Sequence, residues 1–303
     1  MKANDMGDLI VGALSVDDLD AAFNLSTIIG WNQRRDDWRM LLRLAPNAAF
    51  AAVIDGCIVG TSIGIDYGGF AWIAMLLVNP VHRGRGLGRR LLEAAIEAVP
   101  SNLPIRLDAT PLGRALYQRY GFEDETSLSR HVRKESDRST AAAADIVADA
   151  RDIRPLTTSD LRVIVEHDER TFGGMRGALL EWALQAAPQY GYVVRSDDGL
   201  IHYCLGREGR QFDQIGPVVA GAGRDDIAGR LVNEALASAG ERAVAIDAFD
   251  AQPAFSDGLR SRGFFIQRPF VRMCRRAAQS DTPGERAPRT TVREFAILGP
   301  EFA

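Results

Sequence analysis

The residues best suited to chemistry form one glycine- and arginine-rich segment at positions 83–89. It follows an apolar run at 70–78 (FAWIAMLLV) and precedes an amphipathic helix pattern. Glycines permit positive φ angles and let an anion approach the backbone closely. N–H groups at the start of a helix, surrounded by guanidinium groups, favour a phosphate. The segment therefore predicts a phosphate-binding loop made of Arg83, Gly84, Arg85, Gly86, Leu87, Gly88 and Arg89.

The spacing of these glycines narrows the class of ligand. Gly84, Gly86 and Gly88 follow a Gly-x-Gly-x-Gly pattern, whereas dinucleotide sites use Gly-x-Gly-x-x-Gly. The Lys-Ser/Thr pair of ATP-type loops is absent. A nicotinamide dinucleotide site, an ATP site and a purely structural glycine turn remain as the less favoured alternatives. The arginine excess is weaker evidence: only Lys2 and Lys134 among 36 basic residues are lysines, which genome composition explains most simply.

Length and composition restrict the class of protein. The 303 residues predict two domains, and the net charge of −4 argues against general nucleic-acid binding. No apolar run reaches about 18 residues, and positions 1–10 lack a secretory apolar core, so we expect no membrane partner. The three cysteines are far apart, without metal-ligand spacing. They predict a reducing cytoplasm, no metal, and small core residues at Cys57, Cys204 and Cys274.

The same order of helix and strand patterns occurs in both halves of the chain. Each half contains a hairpin signal, then an apolar central strand, a helix, a short strand, a helix and a final strand. Several landmarks recur in the same order: Asp108-Ala109 and Asp247-Ala248, Pro111 and Pro253, Gly121-Phe122 and Gly263-Phe264, and Pro80 and Pro217 after the central strand. This predicts a tandem duplication of an α/β (α+β) fold.

The composition also places the domain boundaries. We expect an N-terminal domain at 1–134, a polar and then alanine-rich linker at 135–150, and a C-terminal domain at 151–276. An extended arm at 277–303 follows, rich in Pro, Arg, Ser and Thr at first. Its apolar patch at 295–298 is predicted to dock back on a domain.

Two motifs carry a resemblance to a known family. The Arg-x-x-Gly-x-Gly pattern at 83–88, after Val-x-Pro at 78–80, resembles the acyl-coenzyme A loop of the GCN5-related N-acetyltransferases. The segment LYQRYGF at 116–122 is similar to that family's Leu-Tyr-x-x-x-Gly-Phe. The resemblance covers residues 7–133 well. The second half resembles the divergent lobe of some bacterial tandem members, including the closing Gly-Pro-Glu at 299–301. Each lobe is then expected to contain a mixed, mostly antiparallel sheet flanked by helices.

The resemblance implies roles for residues of the first lobe. The pyrophosphate of acetyl-coenzyme A would lie on the N–H groups of 83–89, and Tyr117 would protonate the departing thiolate. Thr110 stands where many members have an asparagine that contacts the coenzyme. The backbone N–H of Leu77 could polarise the thioester carbonyl. The pantetheine arm would pair with the backbone at a splay between central strands, along Leu76, Leu77 and Val78.

The general base and the acceptor site are less defined. Many members carry a glutamate on the central strand, but 70–78 contains no acid, so Asp66 is the candidate base. The alternative for Asp66 is a turn residue before Gly68-Gly69, and the alternative for Tyr117 is core packing. His82 is expected to face solvent. The candidate acceptor-binding residues are Trp31, Asn32, Gln33, Tyr67 and Trp72, of which Trp72 could equally face the core.

The second lobe is not expected to bind coenzyme. Asp225 and Asp226 stand at the start of its helix, where they would repel a pyrophosphate, and Leu259 stands in the place of Tyr117. Asp168, Glu169 and Arg170 could reach the acceptor site, although a solvated charge run is the simpler interpretation.

These features together predict an enzyme. We expect an acetyl-coenzyme A-dependent N-acetyltransferase that acts on a small primary amine, such as an amino acid, amino sugar or antibiotic. The alternatives are a protein lysine or N-terminal acetyltransferase and a non-catalytic acyl-coenzyme A sensor. We expect a monomer or a homodimer, without nucleic-acid or membrane partners.

Overall fold

The computed structural model describes residues 9–134, 152–196, 199–277 and 292–303. The chain divides into two compact units, with residues up to Leu107 in the first and Asp108–Arg275 in the second. Residues 276–277 belong to the first unit, and 292–303 belong to the second. The predicted linker at 135–150 lies outside the described residues, as does the whole segment 278–291.

The first unit is an antiparallel sheet extended by one parallel strand. Its strands are β1 (Ile10–Ala13), β2 (Ala49–Ile54), β3 (Cys57–Asp66), β4 (Ala71–Val78) and the start of β5 (Ile105–Ala109). They pair in that order, and only β4 with β5 is parallel. The helices are α1 (Leu19–Ile28), α2 (Arg35–Leu44) and α3 (Leu87–Ala98). Asp55 and Gly56 both have positive φ, 50° and 76°, which is the two-residue turn predicted for this hairpin.

The second unit contains the larger sheet. Its helices are α4 (Pro111–Gln118), α5 (Thr158–Asp168), α6 (Gly177–Ala186), α7 (Asp225–Ser238) and α8 (Pro253–Ser261), and a π-helical turn at Glu169–Gly173 follows α5. Its strands are β6 (Glu123–Arg133), β7 (Arg154–Pro155), β8 (Tyr192–Arg195), β9 (Ile201–Arg207), β10 (Asp213–Gly221), β11 (Val244–Phe249), β12 (Phe265–Arg275) and β13 (Val292–Ile297).

The last strand of the first sequence repeat, β6, lies among strands of the second repeat. It pairs antiparallel with β11 on one side and with β12 on the other. In the second pairing Leu128 faces Phe270, and both side chains are buried. These two residues are also equivalent in the sequence repeat when Gly121 is aligned with Gly263. The pair β6–β12 is therefore locally two-fold symmetric about Leu128 and Phe270.

The two central strands have equivalent registers. β4 pairs with β5 at Ala71 and Trp72, and β10 pairs with β11 at Asp213 and Gln214. This equates Asp213 with Ala71, and therefore Pro217 with Met75. The prediction that Pro217 follows the central strand is wrong, because Pro217 lies inside β10 where its register with β9 shifts. Met75, the residue of β4 that is equivalent to Pro217, also lies where its strand is irregular.

The burial of the side chains corrects one further prediction. Cys204 is a buried core residue, and burial raises the pKa of its thiol to about 12. Cys57 is exposed at the start of β3, and Cys274 is only partly buried, so neither of them is a buried core residue. The mixed, mostly antiparallel pairing of the described strands and the helices that flank them confirm the predicted α/β (α+β) fold class. Among the described residues, no helix is long and apolar enough to span a membrane.

Candidate active site

The glycine-rich loop lies open beside the start of α3. Gly84 and Gly86 have φ angles of 77° and 80°, which other residues adopt only with strain. A Cβ atom added at either position would meet nothing within 4 Å, so there is free space next to the backbone. Gly86 is the N-cap of α3. The side chain of Arg83 ties the loop to the end of β4, because its Nε donates to the Val78 carbonyl at 3.1 Å.

The loop carries unneutralised positive charge. Arg83, Arg85 and Arg89 are exposed, and within the described residues none of them forms an ion pair with a carboxylate. The first turn of α3 has no acidic residue, so the positive end of the helix dipole is not offset there. This combination of space, N–H groups and charge fits a phosphate.

The edge of β4 next to this loop is open. β4 pairs with β5 only at Ala71 and Trp72, and in the described part of the first unit the following residues have no strand on that side. Leu76, Leu77 and Val78 lie on this edge, as predicted for an extended ligand that pairs like a strand. The strand is also irregular, since Met75 has a φ of 51° and its carbonyl accepts from the Thr61 hydroxyl at 2.8 Å. No pattern in the sequence of β4 predicts this bulge.

Tyr117 and Thr110 lie in the second unit. Tyr117 is on α4, buried, with its ring edge-on to Phe122 at a centroid distance of 6.0 Å. Burial raises the pKa of the Tyr117 phenol well above its usual value, so the group stays protonated. Thr110 is the N-cap of α4, but its side chain makes no capping hydrogen bond. Its partly exposed hydroxyl is therefore available for another partner.

The candidate base Asp66 takes part in a turn. Its exposed carboxylate accepts from the backbone N–H of Gly68 at 2.7 Å, which matches the alternative of a turn residue. Tyr67 and Trp72 are buried with Phe70, to which their ring centroids lie at 5.5 and 6.4 Å. Arg106 stacks on the same Phe70 ring at 4.9 Å. Tyr67 and Trp72 thus form part of an aromatic core cluster.

The segment Trp31 to Gln33 joins α1 to α2. Trp31 is partly exposed, whereas Asn32 and Gln33 are each only 4% exposed. The Gln33 Oε1 atom is buried and has no hydrogen-bond partner among the described residues. An unpaired buried amide oxygen is costly, so a donor group at this position would be stabilising. The roles of these residues toward an acceptor stay predictions.

In the second repeat, a strand of the chain itself fills the edge that is open in the first. Val218, Val219 and Ala220 are the register counterparts of Leu76, Leu77 and Val78, and they pair with β13. β13 also pairs with β11, at Asp247 and Ala248. The predicted arm thus docks as a central strand. Its apolar patch supplies the buried side chains of Phe295, Ala296, Ile297 and Leu298.

The loop of the second repeat also lacks the features of a phosphate site. Only residues 222–224 separate β10 from α7, whereas 79–86 separate β4 from α3. The Arg224 side chain pairs with Asp226, and this hydrogen bond lowers the pKa of the Asp226 carboxyl. Asp225 and Asp226 occupy the first turn of α7. Leu259, the counterpart of Tyr117, is buried on α8.

A buried network of ion pairs and hydrogen bonds around Arg176 connects β13 to Asp168. The prediction that Asp168 belongs to a solvated charge run is therefore wrong. The Arg176 side chain is fully buried and donates to both oxygens of Asp168 at 2.8 Å, and its Nη1 lies 2.8 Å from Glu294 on β13. The Tyr203 hydroxyl donates to the same carboxylate. Asp168 is therefore neither solvated nor an acceptor contact, whereas Glu169 and Arg170 are exposed. No cluster of metal-ligating residues occurs in the described parts of the chain.

The tandem lobes and the open loop define an acyltransferase of mixed α/β type. Residues 16–122 match the model of the acetyltransferase (GNAT) family, and residues 164–286 match that of an acetyltransferase (GNAT) domain. Together the matches cover more than half of the chain. The chain belongs to the GCN5-related N-acetyltransferase superfamily and carries two of its domains in tandem.

Three similar proteins illustrate this assignment. The chain is 28% identical to an uncharacterized N-acetyltransferase, YitH, from Bacillus subtilis (strain 168), over 65% of this chain and 67% of that protein. It is 27% identical to the holothin acyltransferase of Pseudoalteromonas sp. (strain SANK 73390), over 64% of this chain and 63% of the relative. It thus spans about two thirds of the length of these relatives. A candidate acetyltransferase from Pyrococcus horikoshii shares the fold, with a TM-score of 0.74 and 20% identity over 100% of this chain and 98% of that one.

Proposed function

We propose that this enzyme transfers an acetyl group from acetyl-coenzyme A to the primary amine of a small molecule by direct attack. The observation that carries the proposal is the loop at 83–89, where open glycines, and arginines that pair with no carboxylate of the described residues, adjoin the open edge of β4. The holothin acyltransferase, named for a small-molecule acceptor, supports the choice of acceptor class.

The residues present fit acetyl-coenzyme A. When bound, it supplies the activated thioester. The N–H groups and arginines of the loop hold its pyrophosphate, and the open edge at Leu76, Leu77 and Val78 pairs with its pantetheine arm. A backbone N–H on the open edge of β4 would polarise the thioester carbonyl and make its carbon more electrophilic. The Leu77 N–H, which the sequence suggested for this role, faces β3, because Leu77 pairs with Thr61 and the Asn79 N–H two residues further on donates to the Val59 carbonyl. No metal is required for this chemistry.

Proton transfers complete the reaction. The attacking amine must be neutral, and its proton leaves through water, with Asp66 as the candidate acceptor of that proton. The Tyr117 phenol, kept protonated by burial, donates a proton to the departing thiolate. Trp31, Asn32 and Gln33 are proposed to contact the acceptor. Tyr67 and Trp72 are buried with Phe70, so we propose that they pack in the core and do not contact the acceptor. A cytoplasmic location and a monomeric or homodimeric state remain part of this proposal.

A non-catalytic acyl-coenzyme A sensor is the second candidate. It is favoured by one observation, because β4 carries no acid and the carboxylate of the candidate base Asp66 is engaged with Gly68. A sensor would bind the coenzyme with the same loop and release no free thiol.

Measurement of free coenzyme A released in the presence of an amine panel separates the candidates. The panel contains amino acids, amino sugars, aminoglycosides and a lysine-bearing peptide. Amine-dependent release with a small molecule, strongly reduced in Tyr117→Phe, is the expected result. Tight acetyl-coenzyme A binding in calorimetry without release for any amine supports the sensor, and release with the peptide alone points to a protein acceptor.

A further inference from the structure

A buried ion pair links the second repeat to the end of β5. Arg272, on β12, donates from Nε to Oδ1 of Asp108 at 2.9 Å and from Nη2 to Oδ2 at 3.0 Å. The side chain of Asp108 is 0% exposed and that of Arg272 is 11% exposed. Burial raises the pKa of the Asp108 carboxyl, and Arg272 opposes this effect. Removal of Arg272 would therefore leave a buried carboxylate without its counter-charge.

The position of Asp108 connects this ion pair to the proposed active site. Asp108 is the penultimate residue of β5, and only Ala109 and Thr110 separate it from α4. α4 carries Tyr117 and itself packs against β12. A displacement of Asp108 would therefore also displace Thr110 and the first turn of α4. The two bonds of one guanidinium fix both the position and the plane of the carboxylate.

The duplication supplies the same ion pair at a second place. Arg130, on β6, donates to both oxygens of Asp247 at 2.8 and 2.7 Å, with side chains 5% and 0% exposed. Arg130 and Asp247 are the repeat counterparts of Arg272 and Asp108. Their pair, however, precedes α8, where Leu259 replaces Tyr117. The two pairs therefore have the same residue types, similar burial and the same two-pronged geometry, although Asp247 also accepts from the Gln214 amide at 3.0 Å. Only the Arg272–Asp108 pair leads to a proposed catalytic helix.

We infer that Arg272, from the second repeat, is a positioning residue for the active-site helix of the first repeat. It holds Asp108 and thereby sets the position of Thr110 and Tyr117. This inference rests on the proposed function of Tyr117 as the general acid. It also assigns the second repeat a contribution to catalysis that does not require coenzyme binding.

The test compares Arg272→Met with Arg130→Met in the full chain. Both variants break an equivalent buried pair, so similar decreases in Tm of about 5–10 °C are expected. Amide hydrogen exchange of the peptide that covers α4, followed by mass spectrometry, should accelerate at least tenfold in Arg272→Met only. With the best amine of the panel, kcat should fall about 10–100-fold in Arg272→Met. Arg130→Met should keep kcat within about threefold. The Kd for acetyl-coenzyme A should stay unchanged in Arg130→Met and rise slightly in Arg272→Met, because Thr110 is a candidate coenzyme contact, so the main effect of Arg272→Met falls on kcat.

Conservative variants complete the comparison. Arg272→Lys retains the charge but loses the two-pronged geometry, so partial recovery of kcat is expected. If either methionine variant fails to fold, Arg272→Lys and Arg130→Lys are compared by the same two measurements. Equal exchange rates in α4 and equal kcat values for the two positions would overturn the inference. A wild-type enzyme without amine-dependent turnover would refute the proposed function instead, while the exchange measurement still decides the role of Arg272.

Discussion

Substitution of Gly86 by glutamate tests the assignment of the phosphate site most directly. Gly86 caps α3 with a φ of 80°, and there is open space where a side chain would point. Gly223, in the corresponding loop of the second repeat, is a matched control. Its φ is 78°, a Cβ there would also meet nothing within 4 Å, and both glycines are exposed. The two substitutions therefore impose the same backbone strain, about 1–2 kcal/mol each.

The electrostatic effect differs between the two sites. For an order-of-magnitude estimate, we take a contact separation of about 4 Å between a carboxylate at position 86 and each of the two charges of a pyrophosphate. Each such pair costs about 1 kcal/mol in water and about 4 kcal/mol at an effective dielectric constant of 20. Even the lower value gives about 2 kcal/mol in total, a loss of affinity of about 30-fold. The strain is present with and without ligand, so it lowers stability but not affinity.

Calorimetric titration with acetyl-coenzyme A and a thermal melt of each variant measure these effects separately. We expect a similar small decrease of Tm in Gly86→Glu and Gly223→Glu, and a loss of binding in Gly86→Glu alone. Unchanged affinity in Gly86→Glu would show that the pyrophosphate does not lie on this loop. An equal loss of affinity in Gly223→Glu would show that the effect is general destabilisation or a site in the second repeat.

The remaining predictions concern the proposed acid and the buried network. Tyr117→Phe should lower kcat about 10²–10³-fold with an unchanged Kd for acetyl-coenzyme A, measured by coenzyme release and calorimetry. Because burial raises the pKa of Tyr117, the phenol stays protonated, and the wild-type rate should not fall up to about pH 10 through its ionisation. A basic limb near neutral pH that disappears in Tyr117→Phe would contradict this. Arg176→Met leaves the buried Asp168 and Glu294 uncompensated and should cost about 3–5 kcal/mol in denaturant unfolding. Arg162→Met removes an ion pair at an exposed site and should cost less than about 0.5 kcal/mol, and equal effects of the two would contradict the network.

The sequence predicts the order of helices and strands because the spacing of apolar residues along the chain indicates which residues of each element are buried. The apolar run at 70–78 corresponds to β4, and the leucine and alanine face after the glycine loop corresponds to α3. The loop itself is recognisable in the sequence, since the function proposed for it depends on glycines and arginines that are contiguous. Its open geometry, with positive φ at Gly84 and Gly86, agrees with this expectation.

The pairing partner of a final strand is not a local property. The alternation of side chains along β6 is the same whichever strand it pairs with. Its contacts with β11 connect residues more than a hundred positions apart, such as Arg130 and Asp247. The repeated Asp-Ala pairs in the sequence point to the carboxylates of the two buried ion pairs, Asp108 and Asp247, but not to the arginines that bind them. In each case the arginine lies on the last strand of the other repeat.

Two other features were missed for identifiable physical reasons. The bulge at Met75 depends on a hydrogen bond from Thr61, a strand away, so β4 alone gives no signal for it. Pro217 lies at the equivalent irregularity of β10, but its alignment with Pro80 in the sequence hides its equivalence to Met75. Asp168 adjoins Glu169 and Arg170 and therefore resembles a solvated charge run. Its burial follows from Arg176, whose contribution depends on the fold.

We propose that two independent features exclude coenzyme from the second repeat, so removal of one should not restore a site. Asp225→Arg combined with Asp226→Gly would give α7 a basic first turn like that of α3. The edge equivalent to Leu76–Val78 would still be paired with β13, which is held by the buried Glu294. No place would exist for the pantetheine arm, although the loop could then attract an anion. Calorimetry should thus report one acetyl-coenzyme A per chain in both the wild type and this variant. A stoichiometry of two in the variant would mean that charge alone, and not the filled strand edge, excludes the ligand.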